Sequence, residues 1–346
     1  MARFRVGLTR DMLDGHGEPT YGHGPLEPLD KDPRIEWEFL RDDVQEIRPD
    51  HLASYDALYI NMPRLTRASF AGNVHRARII ARHGVGYDTV DVRACTEHGV
   101  MLTIQPDGVR RPMAVVALTY IFALSQKLRI KDRLIRAGRW NDRVDHMGSG
   151  LIGRTLGIIG AGNIGREIIR LARPFGLTIL ADDPYVEASV IEAEGARPVD
   201  LETLLRESDF VVVMCALTDE TRRLIGRAEL ALMKPTAYLI NIARGPIVEE
   251  AALIAALREK RIAGAGIDVF EQEPVDRANP LLTLENTILT PHALGWTDQC
   301  FQGLAESAVR GILAALSGRR PGGVVNPAVL EDPGMKSWLA ANAAPA

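Results

Sequence analysis

The sequence predicts an α/β protein built on doubly wound parallel sheets, and three observations carry that expectation. Its 346 residues exceed the length of one typical domain and suggest two. From Thr155 onward, short apolar runs alternate with segments of helical spacing, the signature of a parallel sheet. Between the first of these strands and its helix stands Gly160-Ala161-Gly162-Asn163-Ile164-Gly165, three glycines at the spacing of a phosphate-binding turn.

Phe4 to Leu8 reads as the first strand. Asp11 to Pro33 follows, rich in glycine and proline. It is expected to be a mobile surface insertion, with a lid or a contact to a second subunit as alternatives. His16 and His23 within it lack nearby ligand partners, so no metal is expected. Strands are expected at Ile35–Leu40, Ala57–Ile60, Ala77–Ala81 and Val100–Ile104. Gly84 and Gly86, just past the third of these, either form a nest for a small anion or make a tight structural turn. Gln105 to Pro112 reads as a connection between domains, and Met113 to Lys127 as a long buried helix. Its apolar part, Met113 to Leu124, is too short to span a bilayer.

Leu156 to Ile159 suits a strand buried on both faces. In the glycine turn, the first glycine allows the tight bend and the second lets backbone approach a pyrophosphate. The third lets helix pack on strand. Ile164, Ile168, Leu171, Ala172 and Phe175 make one buried helical stripe, whose N-terminus aims free N–H groups at the phosphates. Asp183 ends the next strand, about twenty residues on, where an acid binds ribose hydroxyls. Strand, glycines, helix, strand and acid in register point to a dinucleotide. Beyond them come a helix after Asp200, a strand at Phe210–Met214 and a helix stopped by Lys234-Pro235. Then follow a strand at Ala237–Ile242, a helix at Glu249–Glu259 and strands at Ala263–Val269 and Thr287–Thr290. Asp298 to Leu316 is helical and leads away from the sheet. Val324 to Pro327 closes the ordered part, and Ala340 to Ala346 is expected to fray. The domains implied are 1–109 for substrate, 110–297 for the nucleotide, a return at 298–330, and a tail at 331–346.

A hydrophobic fraction of 46% and a mean hydropathy of −0.03 describe an ordinary protein with a sizeable core. A net charge of −4 argues against general nucleic-acid binding, and no membrane association is expected. Cys95, Cys215 and Cys300 are few and scattered, with neither a disulfide framework nor metal-ligand spacing. The start, Met1 to Arg5, lacks the apolar core of a signal peptide. These features suit a cytoplasmic chain.

In a doubly wound sheet, ligands sit beyond the carboxyl ends of the strands. Arg244, Asp268, Glu273 and His292 all fall there. Singly, each has a bland role: a surface ion pair, a turn cap, a solvated charge, a structural histidine. Together they make a coherent set for hydride transfer to a carbonyl. Histidine moves the proton because it titrates near neutrality, and a carboxylate beside it favours the imidazolium. An arginine grips a planar carboxylate with a two-pronged fork.

At this point the chain resembles the D-isomer-specific 2-hydroxyacid dehydrogenases, over nearly all of Ala57 to Asn326. The likeness rests on His83-Gly84-Val85-Gly86-Tyr87-Asp88, Gly160 to Gly165, Ala181-Asp182-Asp183-Pro184-Tyr185 and Asn241-Ile242-Ala243-Arg244-Gly245. Asp268-Val269-Phe270-Glu271-Gln272-Glu273-Pro274 and Thr290-Pro291-His292 complete it. The resemblance implies two Rossmann-like domains with the active site in the cleft between them. It makes His292 the acid/base, Glu273 its partner and Arg244 the substrate-orienting residue. Asp268 is implied to contact the nicotinamide carboxamide, and Asn163, Ile164, Cys215 and Ile242 to line the cofactor. Val85 and Gly86 match the backbone that holds the substrate carboxylate. Relatives are commonly homodimers built through the nucleotide domain.

Two departures stand out. Where relatives usually show Ala-Glu at the start of the long helix, this chain has Ala114-Val115. Just before it stand Arg110 and Arg111, of which one, with Arg110 the chosen candidate, reads a second anionic or polar group on the substrate, unless both face solvent. The acids Asp182 and Asp183 would repel a 2′-phosphate, and no arginine or lysine follows within Pro184 to Glu194, so NAD is expected over NADP. Two rival readings remain: an NAD(H)-sensing interaction protein like the corepressor branch, and a dehydrogenase of a non-carboxylate anion such as phosphite. The second is suggested by the spacing of Pro106-Asp107 and Pro112.

Overall fold

The computed structural model describes residues 4–72 and 75–343; the expectations placed on Met1–Arg3 and on Ala344–Ala346 lie outside them. The chain divides into two compact units, one of Met1–Val109 with Trp296–Ala346 and one of Arg110–Gly295.

In the first unit the strands are β1 (Phe4–Leu8), β2 (Ile35–Phe39), β3 (Ala57–Ile60), β4 (Ile79–Arg82) and β5 (Met101–Thr103). They form a parallel sheet in the order β2-β1-β3-β4-β5. The short helices α1 (Glu27–Asp30), α2 (Pro49–Ser54) and α3 (Val92–Glu97) fall between them. Every residue of β3 and β4 is buried, which accounts for their apolar character up to the terminal Arg82 of β4. Asp91 caps α3 by accepting a hydrogen bond from the Ala94 N–H at 2.8 Å.

Asp11 to Pro33 is not the mobile insertion its composition suggests. It carries two short 3-10 turns, at Arg10–Met12 and Gly24–Leu26, besides α1. Met12, Tyr21, Leu26 and Leu29 are buried. The Asp14 carboxylate accepts from the His16 and Glu18 N–H groups, an Asx turn that replaces regular structure. Its apolar anchors follow no helical or strand period, so no pattern announced them.

The helix α4 runs over Pro106–Ser125, so Gln105 to Pro112 is largely helix rather than a connection. Pro106 opens it, where a missing N–H costs nothing, and Pro112 lies inside it. In the second unit α5 (Leu128–Arg136) follows α4, then β6 (Thr155–Ile159), α6 (Asn163–Ala172), β7 (Thr178–Asp182) and α7 (Ala188–Ala193). Next come β8 (Arg197–Pro198), α8 (Leu201–Glu207), β9 (Phe210–Val213) and α9 (Arg227–Leu232). β10 (Tyr238–Asn241), α10 (Glu250–Arg258), β11 (Gly264–Ile267) and β12 (Thr287–Leu289) complete it. The sheet is parallel throughout, in the order β12-β11-β10-β9-β6-β7-β8. Strand order reverses between β6 and β9, and such a switch point opens a crevice at the strands' carboxyl ends.

The chain then returns to the first unit as α11 (Asp298–Leu316), whose bounds match the helical pattern. α11 packs on β4 and on the Gly24–Leu26 turn. The expected tail is ordered instead: Pro327–Glu331 makes a 3-10 turn and Pro333–Asn342 a helix, α12. Met335 is fully buried, and Trp338 meets Phe4 with ring centroids 6.1 Å apart. Alanines that look weak in sequence are carried by those two apolar anchors.

Candidate functional site

Three neighbouring strands of the larger sheet deliver the polar residues to one edge. β10 ends at Asn241 and leads to Arg244, β11 leads to Asp268, and β12 leads to His292. His292 Nδ1 lies 2.8 Å from Glu273 Oε2, and Glu273 Oε1 accepts the Phe270 N–H at 3.0 Å. Burial pushes the Glu273 carboxyl up, but the His292 bond, the Phe270 N–H and the charges of His292 and Arg244 outweigh it. The net result is a carboxyl below its ordinary value. His292 itself is held at φ +54, a left-handed conformation that a histidine adopts only when its surroundings impose it. Its N–H donates to the Asp268 carbonyl at 2.7 Å.

Arg244 is brought to this group by close backbone packing. A Cβ on Gly245 would fall 1.9 Å from the carbonyl carbon of Phe270, so only glycine lets the Arg244 loop lie against the Glu273 loop. Asn241 fixes the loop from below, accepting from the Ala243 N–H at 3.2 Å and donating to the Arg244 carbonyl at 3.0 Å. Arg244 Nη1 donates to the Ala243 carbonyl at 2.8 Å. Asp268 is 2% exposed, and its Oδ1 accepts from the Thr290 hydroxyl and from the Ala293 and Leu294 N–H groups. It therefore anchors the loop that carries His292, a duty the sequence did not reveal. Tyr120 of α4 extends the chain, its hydroxyl bonded to that of Thr290. An isolated tyrosine in an apolar helix was the available signal.

The glycine turn is shaped for a dinucleotide. Gly160 sits at φ +101, and a Cβ there would meet Cys215 N at 2.6 Å, so β6 and the end of β9 approach closely at the switch point. A Cβ on Gly165 would fall 2.1 Å from the Gly160 carbonyl oxygen. Around Gly162, by contrast, a Cβ would meet nothing within 4 Å. The protein's own packing requires two of the glycines, and the middle one faces open space of the kind a pyrophosphate fills. The N–H groups of Gly162, Ile164 and Gly165 donate to no group among the described residues. These residues fit the phosphates of a dinucleotide.

Asp183 accepts from the Ala161 N–H at 2.8 Å and the Tyr185 N–H at 2.9 Å, so it also braces the turn. A carboxylate has lone pairs left for ribose hydroxyls. Asp182 is pushed above its ordinary value by burial and by the neighbouring Asp183 and Asp200. Ile164 and Ile242 are buried, and burial pushes the half-buried Cys215 thiol up to about 11.

In the first unit, Gly84, Val85 and Gly86 are part-exposed just past β4. The N–H groups of Gly84, Val85, Gly86 and Tyr87 donate to no group among the described residues. The two arginines separate. Arg111 pairs with Glu167 at 2.8 Å, a carboxylate only 3% exposed on α6 that Arg170 also holds. Arg110 is half-buried, and its side chain makes no hydrogen bond or ion pair among the described residues. Arg111 thus has an ion-pair partner within the second unit, with its side chain 62% exposed.

Residues 118–293 match the family described as D-isomer specific 2-hydroxyacid dehydrogenase, NAD binding domain. Glyoxylate reductase of Thermococcus onnurineus (strain NA1) is 38% identical over 85% of this chain and 90% of its own. D-3-phosphoglycerate dehydrogenase of Methanocaldococcus jannaschii is 37% identical over 72% of this chain and 48% of its own. Among solved structures, D-lactate dehydrogenase from Aquifex aeolicus, complexed with NAD and lactic acid, superposes with a TM-score of 0.81 at 26% identity. It covers 93% of this chain and 99% of that one. The chain belongs to the D-isomer-specific 2-hydroxyacid dehydrogenase family, with that family's NAD-binding domain in its second unit.

Proposed function

We propose that this protein interconverts a small 2-keto acid and its D-2-hydroxy acid with NAD(H). The observation that carries the reading is the 2.8 Å pairing of His292 with Glu273, beside Arg244, on the ligand-binding edge of the nucleotide sheet. Bound at the glycine turn, the nicotinamide cofactor supplies the hydride. His292 donates a proton to the carbonyl oxygen as it becomes an alkoxide, and takes one back in the reverse direction. Glu273 holds the ring's Nδ1 and offsets the charge of the imidazolium. Arg244 orients the carboxylate and polarises the carbonyl. The open N–H groups of Val85 and Gly86 support their assignment to that carboxylate, and Arg110 is assigned to a further anionic or polar substituent. Asp268 Oδ2, which carries no hydrogen bond among the described residues, suits the carboxamide.

Glyoxylate-sized keto acids head the candidate substrates, because glyoxylate reductases are among the most similar relatives. The acids at 182 and 183 favour NAD over NADP. We also assign a homodimer, built through the second unit. Ile135, Trp140, Val144 and Met147 line one open apolar groove there, with Val144 and Met147 73% and 80% exposed, which suits a second copy. No single helix among the described residues is long and apolar enough to cross a membrane. The three free cysteines are consistent with a cytoplasmic chain.

The test is oxidation of NADH and of NADPH against glyoxylate, hydroxypyruvate, pyruvate, phosphohydroxypyruvate and bulkier keto acids, with His292→Ala alongside. Turnover with NADH at least tenfold above NADPH, lost in the variant, is expected. Tight NADH binding with no keto acid turned over would shift the assignment to a sensing role. Oxidation of phosphite alone would shift it to a non-carboxylate anion.

A further inference from the structure

The N–H groups of Gly84, Val85, Gly86 and Tyr87 have no acceptor among the described residues, whereas neighbouring carbonyls do have donors. The carbonyls beside them are tied back. The Gly84 carbonyl accepts the Gln105 N–H at 2.9 Å, and the His83 carbonyl accepts from Nη1 of Arg82. Arg82 is the last residue of β4 and only 9% exposed. Its Nη1 lies 3.4 Å from where a Cβ on Gly84 would stand, so the guanidinium is beside the loop. Asn61 Oδ1, past the end of β3, accepts from the same nitrogen at 3.5 Å and steadies it.

The ring of His83 is equally fixed. The Tyr59 hydroxyl and His83 Nδ1 are hydrogen-bonded, Phe301 of α11 packs against the imidazole at 4.8 Å, and Tyr21 stacks on it at 6.2 Å. Burial first, and then the charge of Arg82, push His83 down to about 3. The imidazole is therefore neutral at physiological pH, and the positive charge beside the loop belongs to Arg82. Tyr21 comes from the segment that composition marks as loose, which gives that segment a place in the support of this loop.

We propose that Arg82 is a positioning residue that turns Gly84–Tyr87 into an anion cradle, by holding the His83 carbonyl and setting a buried guanidinium beside the open N–H groups. The assignment rests on the reading that Val85 and Gly86 bind the substrate carboxylate, and it identifies what makes that backbone electropositive. A charge fixed in a poorly screened place favours an anion more than one at the surface. Arg82 acts on affinity for the carboxylate and leaves the hydride and proton steps to other residues.

The test uses the full chain and three variants, Arg82→Met, Arg82→Gln and Arg82→Lys. NADH affinity is followed by nucleotide fluorescence, and the NADH-loaded protein is titrated with oxalate in a calorimeter. KM and kcat are taken on the best keto acid of the panel. Arg82→Met is expected to raise KM and the oxalate Kd about 10- to 100-fold, with kcat and NADH affinity within about threefold of wild type. Arg82→Lys should recover most of the loss, because it restores the charge. Arg82→Gln keeps a donor for the His83 carbonyl without the charge, and decides the matter if the methionine variant fails to bind NADH. Unchanged KM and oxalate Kd in the neutral variants would overturn the assignment while leaving the dehydrogenase reading intact. So would a fall in kcat and NADH affinity in Arg82→Gln that matches its loss of oxalate binding. Wild-type protein that binds oxalate through Arg82 yet reduces no keto acid would sink the dehydrogenase reading and keep the cradle. Wild-type protein that does neither removes both.

Discussion

Glu273 works through its charge, and that can be separated from its shape. Its carboxyl lies below the ordinary range despite burial, because His292, the Phe270 N–H and Arg244 favour the anion. A depressed folded value means that the pairing stabilises the protein above the carboxyl's unfolded value of about 4.3. The contribution is lost as pH falls through the lower folded value. Glu273→Gln keeps the volume and removes the charge that favours imidazolium. Turnover of keto acid should then fall about 100-fold with NADH affinity unchanged. Steady-state kinetics and nucleotide fluorescence on both proteins check this, and an unchanged kcat would show that Glu273 is only a spacer. The two arginines of α4 make a second pair of expectations. Arg111→Ala leaves the buried Glu167 with Arg170 alone, so it should lower Tm by a few degrees, about 1 kcal/mol at an exposed partner. Arg110→Ala should leave Tm unchanged and raise KM only for substrates with a second anionic or polar group. An equal KM rise on glyoxylate and on phosphohydroxypyruvate would remove Arg110 from substrate recognition.

Elements differ in how openly the sequence declares them. β6, α6 and β7 were legible because apolar runs, three glycines and an acid stand at fixed offsets, and α11 because its apolar residues keep helical spacing over five turns' worth of chain. The start of α4 was not legible, since Pro112 marks a boundary in any local reading and sits here inside the helix. β8 has two residues and no apolar run, and α12 depends on Met335 and Trp338 finding partners far away in sequence. Among the candidate site residues, Arg244, Glu273 and His292 were legible as types past strand ends. The anchoring of Asp268 to Thr290 and Tyr120, and of the Gly84 loop to Arg82, exists only once the strands are side by side. Gly245 belongs to this second kind. Gly245→Ala would press a methyl into the Phe270 carbonyl and push the Arg244 and Glu273 loops apart. It should cost about 2–4 kcal/mol of stability, and kcat/KM should fall more steeply than NADH affinity. An alanine variant with wild-type Tm and kinetics would show that the two loops are not mutually braced.

For the molecule as a whole, the exposed apolar surface around Trp140, Val144 and Met147 is where the proposed homodimer is tested. Trp140→Asp with Val144→Asp should convert the proposed dimer to monomer in light scattering, with the family fold retained by circular dichroism. A monodisperse monomer already in the wild type would remove the homodimer assignment.

The left-handed backbone of His292 has a consequence beyond catalysis. Glycine adopts that conformation without penalty, asparagine and aspartate at modest cost, and most other residues less readily. In a complete set of substitutions at 292, thermal stability and turnover should therefore not rank together. Glycine would stand near the top for stability by about 1 kcal/mol and near the bottom for activity. Variants selected only for robustness would drift away from the reaction at this one residue.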